Sequence, residues 1–115
     1  MNMLRPLLTL SFLLGFISLV HAHAFLDHAD PKVGSTVAAP TQVTVWMTED
    51  LEPAFSTLQV FDDKGAEVDK KDVKVTDATM TVSLPTLAAG TYKVKWKAVA
   101  VDTHHTTGTF TFTVQ

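Results

Sequence analysis

Cysteine is absent from the 115 residues, which excludes disulfides and thiolate metal chemistry together. Stability must then come from a hydrophobic core, and any metal ion must be held by nitrogen, carboxylate or thioether. Arginine occurs only at Arg5, so past residue 22 eight lysines stand against twelve Asp and Glu, a formal charge of −4 with histidine neutral. No basic cluster runs beyond Lys70-Lys71, which argues against nucleic acid as a partner. Past residue 22 there is also no apolar run of bilayer-spanning length, so that part is expected to be soluble and not membrane-embedded. Helical periodicity is missing too. No stretch of ten or more residues combines helical spacing with freedom from β-branched runs.

What the chain does have begins with a secretory signal. Residues 1–22 carry Arg5 as their only charge, then the apolar run Leu7 to Val20, then Val20-His21-Ala22. That run is about 14 residues, too short to cross a bilayer core needing roughly 20, and small Ala22 with Val20 two places earlier suits a signal peptidase. Cleavage after Ala22 leaves a single domain, residues 23–115, beginning His23-Ala24-Phe25. The compartment expected for it is a bacterial periplasm.

After His23 the patterning has period two. Gln42 to Met47, Phe55 to Phe61, Val73 to Val75, Thr79 to Leu84, Thr91 to Val101 and Phe110 to Val114 read as strands, separated by turn signals such as Asp30-Pro31, Gly34-Ser35, Asp62-Asp63-Lys64-Gly65 and Ala88-Ala89-Gly90. Tyr92, Val94 and Trp96 share one parity of the longest strand and Lys93, Lys95 and Lys97 the other. Trp46 and Trp96 are expected core anchors. Some seven or eight short strands at intervals of roughly ten residues predict an all-β Greek-key sandwich or small barrel, cupredoxin-like or immunoglobulin-like.

Two features can carry metal chemistry. If His23 is the terminus, its α-amine and ring Nδ1 close a six-membered chelate that favours Cu(II), a nitrogen-preferring ion of tetragonal geometry at the top of the divalent affinity order. The second is Asp102-Thr103-His104-His105, at the end of the longest strand. In extended backbone Asp102 and His104 project to one side, about 7 Å apart at the Cα, and could grip one ion while His105 points away. Each has a plainer reading: a histidine left by chance at a cleavage site, and a solvated turn at the sandwich rim. Thr48-Glu49-Asp50-Leu51-Glu52-Pro53 is an acidic loop, and His28 is assigned either to the surface or to a supporting place just outside the metal ligands.

His23-Ala24-Phe25-Leu26, the segment from Asp30-Pro31 to Gly34-Ser35, Val45 to Glu49, Phe55 to Gly65, Ala89-Gly90-Thr91-Tyr92, and Asp102-x-His104 followed by Gly108 and Phe110-x-Phe112-x-Val114 together resemble the CopC family of periplasmic copper-binding proteins. The likeness covers essentially all of residues 23–115. It implies a cupredoxin-like Greek-key β-barrel that binds Cu(II) tightly, with the N-terminal histidine, here His23, as a bidentate ligand. It further implies Asp102 and His104 as the other metal ligands, Glu49 at or just outside the coordination shell, and an inner-membrane copper transporter of the CopD type as a partner. The chain departs from the family in having Thr103 where the motif has Gly. It also lacks the Met-rich loop of members that hold Cu(I): Met47 and Met80 share parity with core valines, so no separate Cu(I) site is expected.

The function expected is therefore a non-enzymatic Cu(II) carrier or buffer serving copper homeostasis and resistance. A terminal-histidine brace also looks like the site of lytic polysaccharide monooxygenases, which makes a copper-dependent oxidative enzyme the main alternative. Those enzymes use a second histidine where this motif adds Asp102, and usually a chain about twice as long. A metal-free immunoglobulin-like interaction module is the third reading.

Overall fold

The structure, a computed structural model, describes residues 24–115. The expected signal segment, its cleavage after Ala22, and His23 lie outside the described residues. Period-two alternation builds eight strands: β1 (Leu26–Asp30), β2 (Thr36–Val37), β3 (Gln42–Met47), β4 (Thr57–Phe61), β5 (Lys74–Thr76), β6 (Thr79–Ser83), β7 (Gly90–Val99) and β8 (His105–Val114). They form two four-stranded sheets, ordered β1-β3-β6-β5 and β2-β8-β7-β4. All neighbours are antiparallel except β2 and β8. The chain changes sheet between β3 and β4, β5 returns to the first sheet, and β7 crosses again. The two sheets therefore enclose one core, as expected of an all-β sandwich. Among the described residues there is no helix.

Strand parity decides what fills that core. Val43, Val45 and Met47 of β3 and Met80 and Val82 of β6 are buried against Tyr92, Val94 and Trp96 of β7 and Phe110, Phe112 and Val114 of β8. Lys93, Lys95 and Lys97, one place out of phase, are exposed. Both methionines of this region belong to the core, at 5% and 0% exposure, as their parity implied. The Tyr92 hydroxyl donates to the Ala88 carbonyl at 2.6 Å, tying the turn before β7 to the strand it opens, in the manner of a tyrosine corner. Asp69 is a buried carboxyl that accepts the Val60 N–H at 2.8 Å and the Lys71 N–H at 2.9 Å. Burial still pushes its pKa above the ordinary aspartate range.

Three expectations change. The strand expected from Phe55 begins only at Thr57, because the Phe55 N–H closes a turn onto the Glu52 carbonyl (3.2 Å) and the Ser56 hydroxyl accepts the Val99 N–H (3.1 Å). The Phe55 ring is left exposed. The longest strand stops at Val99 and not at Val101, since Ala100 and the residues after it make the reversal into β8. Trp46 is not a core anchor. It lies out of phase with Val45 and Met47, half-buried, and is covered on the outer face by the His28 ring at a centroid distance of 4.3 Å. Trp96 is buried as expected.

Gly108 faces Trp96 across the β7–β8 ladder. A Cβ there would lie 2.4 to 2.8 Å from the indole atoms Cζ2, Cε2 and Nε1, so this position has room for hydrogen only. Gly108→Ala forces a rigid ring to shift in a packed interior and is expected to cost roughly 1–3 kcal/mol, read as a lower urea midpoint. An unchanged midpoint would mean that the indole has space to move aside.

Candidate metal centre

The β7–β8 ladder ends at the pair Val99 and His105. Beyond it the chain must reverse in the residues between. The Ala100 N–H donates to the His104 carbonyl at 3.0 Å, and the Thr103 N–H to the Ala100 carbonyl at 2.7 Å. Thr103 sits at φ 75°, in the left-handed region. Asp102 and His104 are thus joined by a tight turn and not by extended backbone, which corrects the geometry expected from their i, i+2 spacing. They converge nonetheless: Asp102 Oδ1 accepts the His104 backbone N–H at 3.2 Å, and Oδ2 lies 3.1 Å from the His104 ring Nδ1. In this contact the carboxylate occupies Nδ1 and leaves Nε2 to a metal; because the two ring nitrogens point to opposite sides, Asp102 joins His104 on one ion only if this contact opens. His105 is the first residue of β8, exposed, and paired with Val99 on the side opposite Ala98 and Thr106.

Two further segments meet this turn. Ala24, the residue after His23, is completely buried, and its carbonyl accepts a hydrogen bond from the Thr106 hydroxyl. The Phe25 N–H donates to Thr48 Oγ1 at 2.9 Å while the Thr48 N–H returns to the Phe25 carbonyl at 2.8 Å. The acidic loop is held in turn. Val101 N–H reaches the Asp50 carbonyl at 3.2 Å, Glu52 N–H the Val99 carbonyl at 2.7 Å, and Leu51 bridges Ala100. The start of the described chain, the loop carrying Glu49 and the turn carrying Asp102 and His104 are therefore gathered at one end of the sandwich. Among the described residues no group of three His, Asp or Glu side chains is close enough to hold a metal ion. Glu49 is exposed, and Asp102 and His104 are in contact.

Charge and exposure distinguish this end. Residues 24–31, 48–56 and 98–106 contain Asp27, Asp30, Glu49, Asp50, Glu52 and Asp102 but no Lys or Arg, which favours approach by a cation. The same three segments carry the exposed apolar side chains Phe25, Phe55 and Val101. His28 forms a separate surface group. Its Nδ1 is 2.7 Å from Asp27 Oδ2 and its ring stacks on Trp46 with planes 6° apart, next to a bulge in β1. Sequence reasoning missed this stack, although the parity of β3 already assigned Trp46 to the face opposite Val45. It also missed the bond from Thr106 to Ala24, for which the sequence holds no signal, since the partners are 82 positions apart.

Fold and site define a small all-β sandwich with an imidazole–carboxylate pair at the end where its first strand begins. The chain belongs to the CopC family, whose domain matches residues 26–115. It is 35% identical over 121 residues to a copper resistance protein C of Escherichia coli, covering 96% of both chains. Among solved structures it is similar to CopC from Methylosinus trichosporium OB3b, with TM-score 0.76 and 33% identity over 81% of this chain and 94% of that one. It is likewise similar to PcoC, a methionine-rich copper resistance protein from Escherichia coli, with TM-score 0.74 and 34% identity over 82% of this chain and all of that one.

The turn itself is testable. A β-branched residue in the left-handed region costs on the order of 1–3 kcal/mol, partly offset in a glycine variant by the greater freedom of the unfolded chain. Thr103→Gly is expected to raise stability by about 1 kcal/mol, measured as a higher urea midpoint. A fall would show that the threonine side chain makes contacts outweighing its backbone cost.

Proposed function

We propose that this protein is exported to the periplasm, loses residues 1–22, and binds one Cu(II) through the amine and imidazole of His23 together with Asp102 and His104. Glu49 lies at or just outside that shell. The observation that carries this reading is the hydrogen bond from Thr106 to the Ala24 carbonyl, which ties the residue after His23 to the strand that follows His104 and so supports a site shared by the two. Family membership supports copper as the cargo, because relatives bear the name copper resistance protein. A carboxylate beside imidazole and amine suits Cu(II), and with Met47 and Met80 both in the core the described residues offer no thioether for Cu(I).

Holding copper requires no catalysis, and we infer a role in sequestering or carrying it. The apolar side chains Phe25, Phe55 and Val101 around an acidic end support hand-over to a membrane copper transporter of the CopD type.

The chelate exists only if the His23 nitrogen is an amine. Protein with one extra residue ahead of His23 is expected to fold normally and to bind Cu(II) far more weakly than protein beginning at His23, in a competition titration against a chelator. Asp102→Ala and His104→Ala should each weaken binding by orders of magnitude, and Glu49→Ala by roughly 10- to 100-fold if it supports a ligand from outside the shell. Equal affinity and an identical electron paramagnetic resonance spectrum for the extended and native forms would remove His23 from the site.

A further inference from the structure

The chain is acidic in sum, yet one face of it is not. Lys93, Lys95 and Lys97 project from the outward side of β7, an inner strand of its sheet. Strand geometry spaces them about 7 Å apart, a stripe roughly 14 Å long. A charged strand residue is stabilised by an opposite charge directly across the ladder. Here the cross-strand partners are Thr111, Thr109 and Thr107 on β8 and Phe61, Gln59 and Thr57 on β4. None is a carboxylate, and among the described residues none of the three lysines is in an ion pair. Past the β4 edge, Glu67 contacts Gln59 at 3.4 Å and is paired with Lys71 at 3.1 Å, and Asp62 and Asp63 line a groove beside Lys93 and Lys95 without pairing to either. Three of the eight lysines thus stand together without an ion pair, in a chain with acid to spare.

We propose that this face docks on an anionic phospholipid surface. Ammonium groups flanked on the β8 side by the row of hydroxyls of Thr107, Thr109 and Thr111 match phosphate oxygens, which accept from both. The same face is poorly suited to a protein partner, because protein interfaces are anchored by exposed aromatic or large aliphatic side chains. The exposed large apolar residues Phe25, Val33, Phe55 and Val101 all lie outside β4, β7 and β8. The docking itself does not depend on copper. Its consequence does rest on the copper reading: the stripe runs toward the β7–β8 turn, so the protein would lie on the bilayer with the Asp102–His104 end at the membrane surface.

The test uses metal-free protein purified after export and vesicles of phosphatidylcholine with or without phosphatidylglycerol, read by co-sedimentation. Binding should require phosphatidylglycerol and fall as salt is raised, since screening shortens the reach of the charges. The triple variant Lys93→Gln, Lys95→Gln, Lys97→Gln should partition roughly 100-fold more weakly, at about 1 kcal/mol per lysine. A control with the same change in net charge, Lys70→Gln, Lys71→Gln, Lys74→Gln, should keep most of the binding. Equal partition onto both vesicle types, or equal loss in the two triples, overturns the proposal. Retention of the native protein on immobilised polyglutamate without preference for phosphatidylglycerol would assign the face to an acidic protein, and overturns it as well. Copper titration of the same samples keeps the two readings separable: a protein that binds vesicles but not Cu(II) fails only the metal assignment.

Discussion

The ten-pair ladder from Gly90–Val114 to Val99–His105 is the constraint on which the rest of this protein depends. Its register puts Tyr92, Val94, Trp96, Phe110 and Phe112 into the core and leaves Lys93, Lys95 and Lys97 outside. Its last pair determines where the reversal carrying Asp102 and His104 must begin. One residue further along β8, Thr106 faces inward and meets the Ala24 carbonyl. A slip of one residue would turn the apolar set to water and the lysines into the core, and Gly108 would no longer lie under the Trp96 indole. Stability and site geometry are consequences of the same pairing.

Around that ladder the molecule separates its charges. Acidic residues dominate the end where the first strand, the Thr48–Ser56 loop and the β7–β8 turn meet, while the outward side of β7 carries Lys93, Lys95 and Lys97. The acidic end draws cations and the basic face draws anions, so the net charge of the chain describes neither surface. The apolar residues left exposed collect mainly at the acidic end. The two surfaces are thus built for different partners.

Thr103 shows how a family motif and a backbone angle bear on one another. The resemblance to the CopC family already marked this position as a departure from glycine, and the structure holds it at φ 75°. The left-handed conformation joins Asp102 to His104 in a turn short enough for the carboxylate to reach both the backbone N–H and the ring of the histidine. Extended backbone would have separated them. The sequence reading paired Asp102 and His104 for a geometric reason that does not apply here.

Much was legible from the residues because alternation is a local property. Strand β3 has the bounds its pattern implied, Met47 and Met80 lie in the core that their parity assigned, and the all-β class follows from the lack of any helical period. The same parity held the true place of Trp46, which its size alone misrepresented as core. Strand ends were less legible: Phe55 and Val101 look like strand residues, and only the hydrogen bonds from Ser56 to Val99 and from Val101 to Asp50 take them out of the ladder. The sequence by itself determined the fold class, the two-faced strands and the Asp102-x-His104 motif, because each is written within a few neighbouring residues. Only the tertiary structure decided that Ala24, Thr48 to Glu52 and Ala100 to Thr106 share one end of the sandwich. That closeness comes from pairing between strands far apart in the chain, whose register depends on the packing of both sheets at once.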